Sequence, residues 1–385
     1  MAKYRSAIIA CGTIARCHAR AWQAIPEVEL AAIADTSPEA LAEFGDFFGV
    51  PPERRYTDYR VMLDRERPDF VDVCSWHGQH AEMTVAAAAR RPKAIICQKP
   101  MAMSLAEADR MLVACQREGV KLLVAHQRRH LATWLEVQRQ VAEGLIGQPQ
   151  QIILDSGSLL NVMSHDVNMA LFLLGDRPVE WVMGAVERTT DRYERSHPCE
   201  DAALGVAQVS GGVTMVIHSS LGTGHRRGHG CRLIGSEGIL ELGVTRPPDD
   251  QLRSDGPMRQ PEGSSAKYND ERGTARYLTA SSGGWQTIEA PWHDPFVHLA
   301  QEALDWVEGR TDDPISSGQK GRATLEVLMA LYESARKRQR IPLPLKTLAN
   351  PLALMVESGA LPVEWPGRYE VRARIVRGER MSWDD

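Results

Sequence analysis

The N-terminal third of the chain alternates two apolar patterns. Short apolar runs at 4–10, 29–34, 70–75, 94–97 and 121–126 are each bounded by polar residues, glycine or proline. Between them, apolar positions recur at helical spacing over 14–25, 37–48, 58–64, 80–90 and 104–118, with a short strand at 55–56. Bounded apolar runs read as buried strands, and a 3.6-residue period reads as amphipathic helix. Strand and helix repeated with short connections predict a doubly wound parallel sheet.

The pattern changes after residue 150. Strands are expected at 150–155, 179–186, 203–209, 212–220, 231–234 and 285–290, several of them alternating and joined by turns such as Ser210-Gly211-Gly212. No helical stretch separates them after Gly175. That predicts a second sheet, largely antiparallel or mixed, with one free face. Residues 246–282 are rich in Gly, Pro, Ser and charge and read as a long surface excursion, with a lid as one use for it. An extension beyond Pro344 reads as a helix at 345–358 and a short strand at 369–376.

Composition narrows the class. The formal net charge of −5 argues against nucleic acid or an anionic membrane surface as main partner. No apolar run approaches the roughly 20 residues of a bilayer span. Seven cysteines, an odd number scattered without a CxxC pair, read as reduced core thiols and offer no metal site. The start, MAKYRSAIIACG, shows no signal-peptide pattern, so a cytoplasmic protein is expected.

Three places carry candidate chemistry. The first strand ends in Ala10-Cys11-Gly12-Thr13-Ile14-Ala15, an AxGxxA turn. Gly12 is where backbone must approach a pyrophosphate, and Ala15 keeps a small residue for helix–strand packing. Asp35 ends the next strand, where a carboxylate accepts from an adenosine ribose and repels a 2′-phosphate, favouring NAD over NADP. Its competing reading is a cap for the helix opening at Ser37-Pro38-Glu39. Lys99, in Gln98-Lys99-Pro100, follows a buried strand that Pro100 must end, which places it at the C-terminal lip where open α/β sheets bind ligands. Ser75-Trp76-His77 and His80 follow another strand at the same lip. Asn161 and His165, four residues apart, share a helix face. Glu200-Asp201 reads as a solvated turn, and His225-Arg226-Arg227-Gly228-His229 either as a solvated hairpin or as an anion receptor.

Gln98-Lys99-Pro100, Val124–His130 (VAHQRRH), Gly144-Leu145-Ile146-Gly147, Leu160–Asn168 (LNVMSHDVN) and Gly235–Leu240 (GSEGIL) together resemble the glucose–fructose oxidoreductase / inositol dehydrogenase (Gfo/Idh/MocA) family. The resemblance runs from about residue 4 to 344, with 296–309 and 319–337 resembling the family's closing helices. It implies an α/β protein: an N-terminal Rossmann sheet at 1–127, a C-terminal α/β domain on a large open, mostly antiparallel sheet at 128–344, and an extension at 345–385 packing on the body. It implies NAD, a sugar, sugar derivative or cyclitol as substrate, and a homodimer or homotetramer. Lys99, His165 and Asn161 become the implied catalytic set. Cys11, Gly12, Thr13, Ile14, Asp35, Ser75, Trp76, His77, His80, Gln98, Lys99 and Gln127 become the cofactor set. Arg129, Ser164, His165 and Asn168 are implied to face substrate. Gln98 and Asn161 stand where many members carry a carboxylate, so a complete Lys–Asp–His relay is absent. Three functions follow: net hydride transfer at a hydroxyl-bearing carbon, a hydrolase or lyase that oxidises transiently with retained NAD, or an NAD-binding regulator.

Overall fold

The computed structural model describes residues 2–194, 197–220, 230–245 and 271–364. A six-stranded parallel sheet of order β3-β2-β1-β4-β5-β6 is built from β1 (Tyr4–Ile9), β2 (Val28–Ala34), β3 (Arg55–Tyr56), β4 (Phe70–Val73), β5 (Ala94–Gln98) and β6 (Lys121–Ala125). The helices between strands are α1 (Thr13–Gln23), α2 (Pro38–Phe48), α3 (Tyr59–Glu66), α4 (His80–Ala88) and α5 (Leu105–Glu118). Buried apolar positions on both faces of β1, β4 and β5 explain why these strands read as continuous apolar runs. The order reverses beside β1, which leaves a crevice above the C-terminal ends of β1 and β4.

After α6 (Ala132–Ala142) the chain enters a nine-stranded sheet of order β16-β15-β14-β13-β7-β12-β11-β8-β17. Its strands are β7 (Pro149–Ser156), β8 (Val179–Glu187), β11 (Ala202–Val209), β12 (Val213–Ser220), β13 (Gly230–Gly235), β14 (Gly238–Thr245), β15 (Arg272–Thr279), β16 (Gln286–Ile288) and β17 (Ile341–Pro342). Only β7 and β12 pair in parallel among the described neighbours; the other pairs are antiparallel. A separate hairpin joins β9 (Tyr193–Glu194) to β10 (His197–Pro198). The inner face is covered by α7 (Ser164–Leu173) and α9 (Gly318–Lys337), while α8 (Pro295–Val307) packs against α1 and α10 (Pro351–Glu357) against α9. Gly184 and Gly205 pair across β8 and β11, and a Cβ at Gly205 would lie 2.5 Å from Leu331 Cδ1, so α9 rests in a notch that only glycines leave open. Among the described residues no helix is long and apolar enough to cross a membrane.

Three expectations change. Part of the predicted 246–282 excursion is β15, a strand inside the sheet, and Glu271 just before it is fully buried in an ion pair with Arg128. Alternating small and polar residues hid that strand. The helix expected over 345–358 is confined to Pro351–Glu357, since Asn350 caps it and Pro351 takes its first position. The basic stretch 225–229 and the expected strand 369–376 lie outside the described residues.

Arg129 is the largest correction. Its side chain is 1% exposed, it pairs bidentately with Asp176 at 2.7 and 2.9 Å, and it donates to Asn168 and to the carbonyl of Ile315. It ties α7 and the segment after it to the approach to α9 and has no face left for substrate. Asn168 is consumed in the same network, accepting from Arg129 and donating to Thr324 Oγ at 2.8 Å. Arg129→Ala is expected to lower unfolding free energy by about 3 kcal/mol, the cost of leaving a largely buried carboxylate and Asn168 without their guanidinium donor, with Lys320 at 3.9 Å the remaining cation beside Asp176. Denaturant titration checks this; unchanged stability with a raised substrate KM would restore the substrate-facing role.

Candidate active site

The turn after β1 is shaped by backbone and by Asp35. Ala10 takes a positive φ of 74°, the conformation a glycine adopts more cheaply. Cys11 N–H donates to Asp35 Oδ2 at 2.7 Å and Ser37 N–H to Oδ1 at 2.9 Å, so the carboxylate ties the two adjacent lips together. The cap of α2 is Ser37, not Asp35. A carboxylate has about four acceptor positions, so Asp35 keeps capacity for hydroxyls. Gly12 caps α1 without a side-chain bond, and a Cβ there would meet nothing within 4 Å. The first turn of α1 therefore presents N–H groups to open space, with Thr13 exposed and Ile14 half-buried beside it. Ser75 Oγ, on the loop after β4, is buried and has no hydrogen-bond partner among the described residues. Trp76 next to it is 44% exposed. An anion-ready turn, a ribose-competent carboxylate and an orphaned hydroxyl on one crevice fit a dinucleotide.

Other expected cofactor residues are placed differently. Cys11 is buried and its N–H is spent on Asp35. His80 is fully buried, with Nδ1 at 2.8 Å from Pro100 O and Nε2 at 2.9 Å from Ser75 O, so it braces two lips from beneath. Gln98 is 5% exposed, and its amide donates to His18 Nε2 at 2.6 Å. His18 Nδ1 in turn meets Asp72, which also accepts from Trp22 Nε1. An amide suits that place: with the Nδ1 proton given to Asp72, Nε2 offers a lone pair that a carboxylate could not donate to. His77 and Gln127 are buried at 3% exposure each.

Lys99 stands at the lip of β5, partly exposed, after β5 ends and before Pro100. Its ammonium donates to Asn161 O at 2.5 Å and reaches Asn161 Oδ1 at 3.4 Å. Asn161 lies in a π-helical turn, Leu159–Met163, that leads into α7. Such widened turns recur at functional sites because they re-aim side chains. His165, four residues on and 7% exposed, opens α7 with its ring edge-on to that of His126, the centroids 6.1 Å apart. Burial, then the charges of Arg129 and Lys99, hold the His126 imidazole well below its ordinary pKa, so it is neutral at pH 7. Ser164 is 1% exposed with its hydroxyl on Asn161 O at 3.4 Å, which makes it a brace of the turn.

A small cleft of about 10 Å³, room for one water, opens beside Asn161, lined among others by His77, Met103, Glu194, His197, Glu200 and Tyr332. Glu200, expected in a solvated turn, is 1% exposed: it accepts from Leu159 N–H at 2.6 Å and from Tyr332 Oη at 2.5 Å. It anchors the start of the turn that carries Asn161. Asp201 beside it accepts from the Thr189 and Thr190 N–H groups and caps a loop. Nothing in the linear sequence marked Glu194, His197 or Tyr332, because no local pattern joins a short hairpin to a helix far along the chain.

Residues 4–126 match the family model described as "Oxidoreductase family, NAD-binding Rossmann fold", and 148–241 match the "GFO/IDH/MocA C-terminal domain". A D-apiose dehydrogenase of Paraburkholderia graminis is 28% identical over 386 residues, covering 93% of this chain and 95% of that one. A myo-inositol 2-dehydrogenase of Thermotoga maritima is 27% identical, covering 61% of this chain and 74% of that one. Among solved structures, an aldose-aldose oxidoreductase from Caulobacter crescentus, complexed with glycerol, superposes with a TM-score of 0.73 at 23% identity over 89% of this chain and all (100%) of that one. At that identity the superposition speaks for the fold.

Burial pushes the Glu200 carboxyl above its usual range, against the lowering effect of the Leu159 and Tyr332 donors. A carboxyl whose folded pKa is raised stabilises the fold most below the unfolded value and loses that contribution as pH rises through the folded one. Glu200→Gln is therefore expected to gain stability relative to the parent chain as pH rises above about 4.5, the ordinary value for a glutamate carboxyl. Thermal unfolding across pH 4 to 8 checks it; a stability difference that does not change with pH contradicts it.

Proposed function

Since the chain belongs to the GFO/IDH/MocA oxidoreductase family, we propose that it moves a hydride between NAD and a hydroxyl-bearing carbon of a sugar or cyclitol, with Lys99 and His165 handling the hydroxyl proton. The observation that carries the proposal is the Lys99–Asn161–His165 arrangement above the crevice. The relatives' names, D-apiose and myo-inositol dehydrogenase, support the substrate class. The α1 turn, Asp35, Ser75 and Trp76 would hold the dinucleotide, which supplies the hydride acceptor when bound.

The chain's own part is proton transfer and charge. In the oxidative direction, a hydroxyl on the reacting carbon gives its proton to His165 as the C–H bond breaks. Negative charge building on that oxygen is met by the Lys99 ammonium. Asn161 fixes that ammonium, with its carbonyl at 2.5 Å, and cannot itself titrate. The neutral His126 puts no cation next to His165. A hydrolase or lyase acting on a larger or anionic glycoside would call on the basic 225–229 stretch and the excursion, most of which fall outside the described residues, and no described feature favours it.

The outer face of the large sheet supports self-association. Met183, Val206, Val216 and Ile153 stand in register across β8, β11, β12 and β7, with Met183 55% and neighbouring Leu204 58% exposed. A contiguous apolar row on an otherwise polar surface marks an interface, and a twofold homo-oligomer is the economical way to cover it.

Lys99→Ala is expected to bind NADH as the parent chain does and to lose about 10²–10³-fold in kcat. NADH fluorescence titration beside steady-state turnover on a polyol panel reads both; turnover within about threefold of the parent contradicts the assignment. Light scattering on a sizing column should give a dimer or tetramer that Leu204→Asp converts to monomer; a monomeric parent chain removes the interface.

A further inference from the structure

We propose that Asn350, at the start of the C-terminal extension, is a positioning residue for Lys99: it ties the segment after β5 to α9 and so holds the ammonium against Asn161. This rests on the hydride-transfer reading and adds to it a residue that touches neither substrate nor cofactor. Both ends of the Asn350 amide are committed. Its Oδ1 accepts from the Leu352 and Ala353 N–H groups at 2.9 and 3.2 Å, which caps α10. Its Nδ2 donates to the Met103 carbonyl at 2.8 Å, across 247 positions of sequence. An acceptor facing N–H groups beside a donor facing a carbonyl is the signature of an amide. Aspartate or serine caps a helix equally well, so the cap alone does not call for asparagine.

Met103 lies four residues beyond Lys99, on the segment that leads into α5. His80 Nδ1 holds this segment at Pro100 O. Asn350 holds it at Met103 O, and the Ala106 N–H, in the first turn of α5, donates to Leu348 O at 3.0 Å. The extension therefore grips the segment on both sides of Ser104, the cap of α5. The buried Met103 also lines the small cleft beside Asn161 together with Leu160. A shift of Met103 is felt by both partners of the Lys99–Asn161 contact.

The extension is rooted on α9. Leu345 N–H donates to Glu326 Oε1 at 2.9 Å, and Thr347 Oγ1 to Glu333 Oε1 at 2.6 Å. Glu333 is itself fixed by Arg336 and Lys337. The same helix carries Tyr332, which holds Glu200 and through it the start of the π-helical turn. One helix thus mounts both halves of the site: Asn161 through Tyr332 and Glu200, and the lip after Lys99 through residues 345–350. A displacement of about 1 Å at a reacting group can cost up to about 10²-fold in rate, which gives such a closed circuit a catalytic consequence.

The test separates the tether from the cap in the full chain. Asn350→Asp keeps the cap and loses the donor to Met103; Asn350→Ala loses both. Asn350→Asp is expected to lower kcat about tenfold on whichever polyol of a panel turns over, with KM within about threefold, NADH affinity unchanged and an unfolding temperature close to that of the parent chain. Asn350→Ala should lose kcat to the same extent and unfold at a lower temperature. Thr347→Val, which loosens the other end, should lower kcat as well, and the double variant Thr347→Val/Asn350→Asp should fall no further than Asn350→Asp alone. Amide hydrogen exchange read by mass spectrometry needs no turnover: in Asn350→Asp, residues 99–106 should lose protection while 351–357 keep it. A kcat in Asn350→Asp within twofold of the parent, a kcat loss confined to Asn350→Ala, additive losses in the double variant, or unchanged protection at 99–106 overturns the proposal. Loss of protection at 99–106 in a chain that transfers no hydride overturns the reaction and leaves the tether standing.

Discussion

One ammonium–carbonyl contact, Lys99 Nζ to Asn161 O at 2.5 Å, joins residues 62 positions apart and two sheets of different design. Lys99 can be there only because β5 is buried up to its end and Pro100 stops the ladder at that point. Asn161 can be there only because Glu200 and Tyr332 hold the start of the π-helical turn from below. Move either support and the ammonium loses its fixed acceptor, and His165 one helical turn on loses its bearing. The site is therefore an interface property, assembled where the parallel crevice meets the inner side of the mixed sheet.

Buried polar groups do most of the positioning. Arg129, Asn168, Asp176 and Thr324 lock α7 to α9. His18, Asp72, Trp22 and Gln98 fasten α1 beneath the strand that carries Lys99. His80 braces the lips after β4 and β5. Groups of this kind are costly to bury unless they are paired, and once paired they fix one geometry. That division of labour separates the residues that hold the crevice from those left to meet a ligand.

Much of this was legible in the sequence, for definable reasons. The parallel sheet followed from apolar periodicity, which records burial directly. Lys99 at its lip followed from a strand that a proline must end. The second sheet was legible in kind, because strands without intervening helices have to pair antiparallel, but β15 was not, since small and polar residues on a half-exposed strand resemble a loop. Site residues divided on the same line. A residue type in a motif suggested function for Arg129 and Gln98, yet their partners lie on distant elements and consume their hydrogen-bonding capacity. Glu200 shows the reverse: two acidic residues before a strand look solvated, and only the fold brings Tyr332 and Leu159 to one of them.

The central claim is that Lys99 and His165 converge on one substrate oxygen. A crystal structure of the chain with NADH and a bound neutral polyol tests it most directly. The account predicts a ring hydroxyl within about 3.2 Å of both Lys99 Nζ and a His165 ring nitrogen, with the Lys99–Asn161 contact intact. A polyol whose hydroxyls all lie beyond hydrogen-bond reach of one of the two side chains would contradict it.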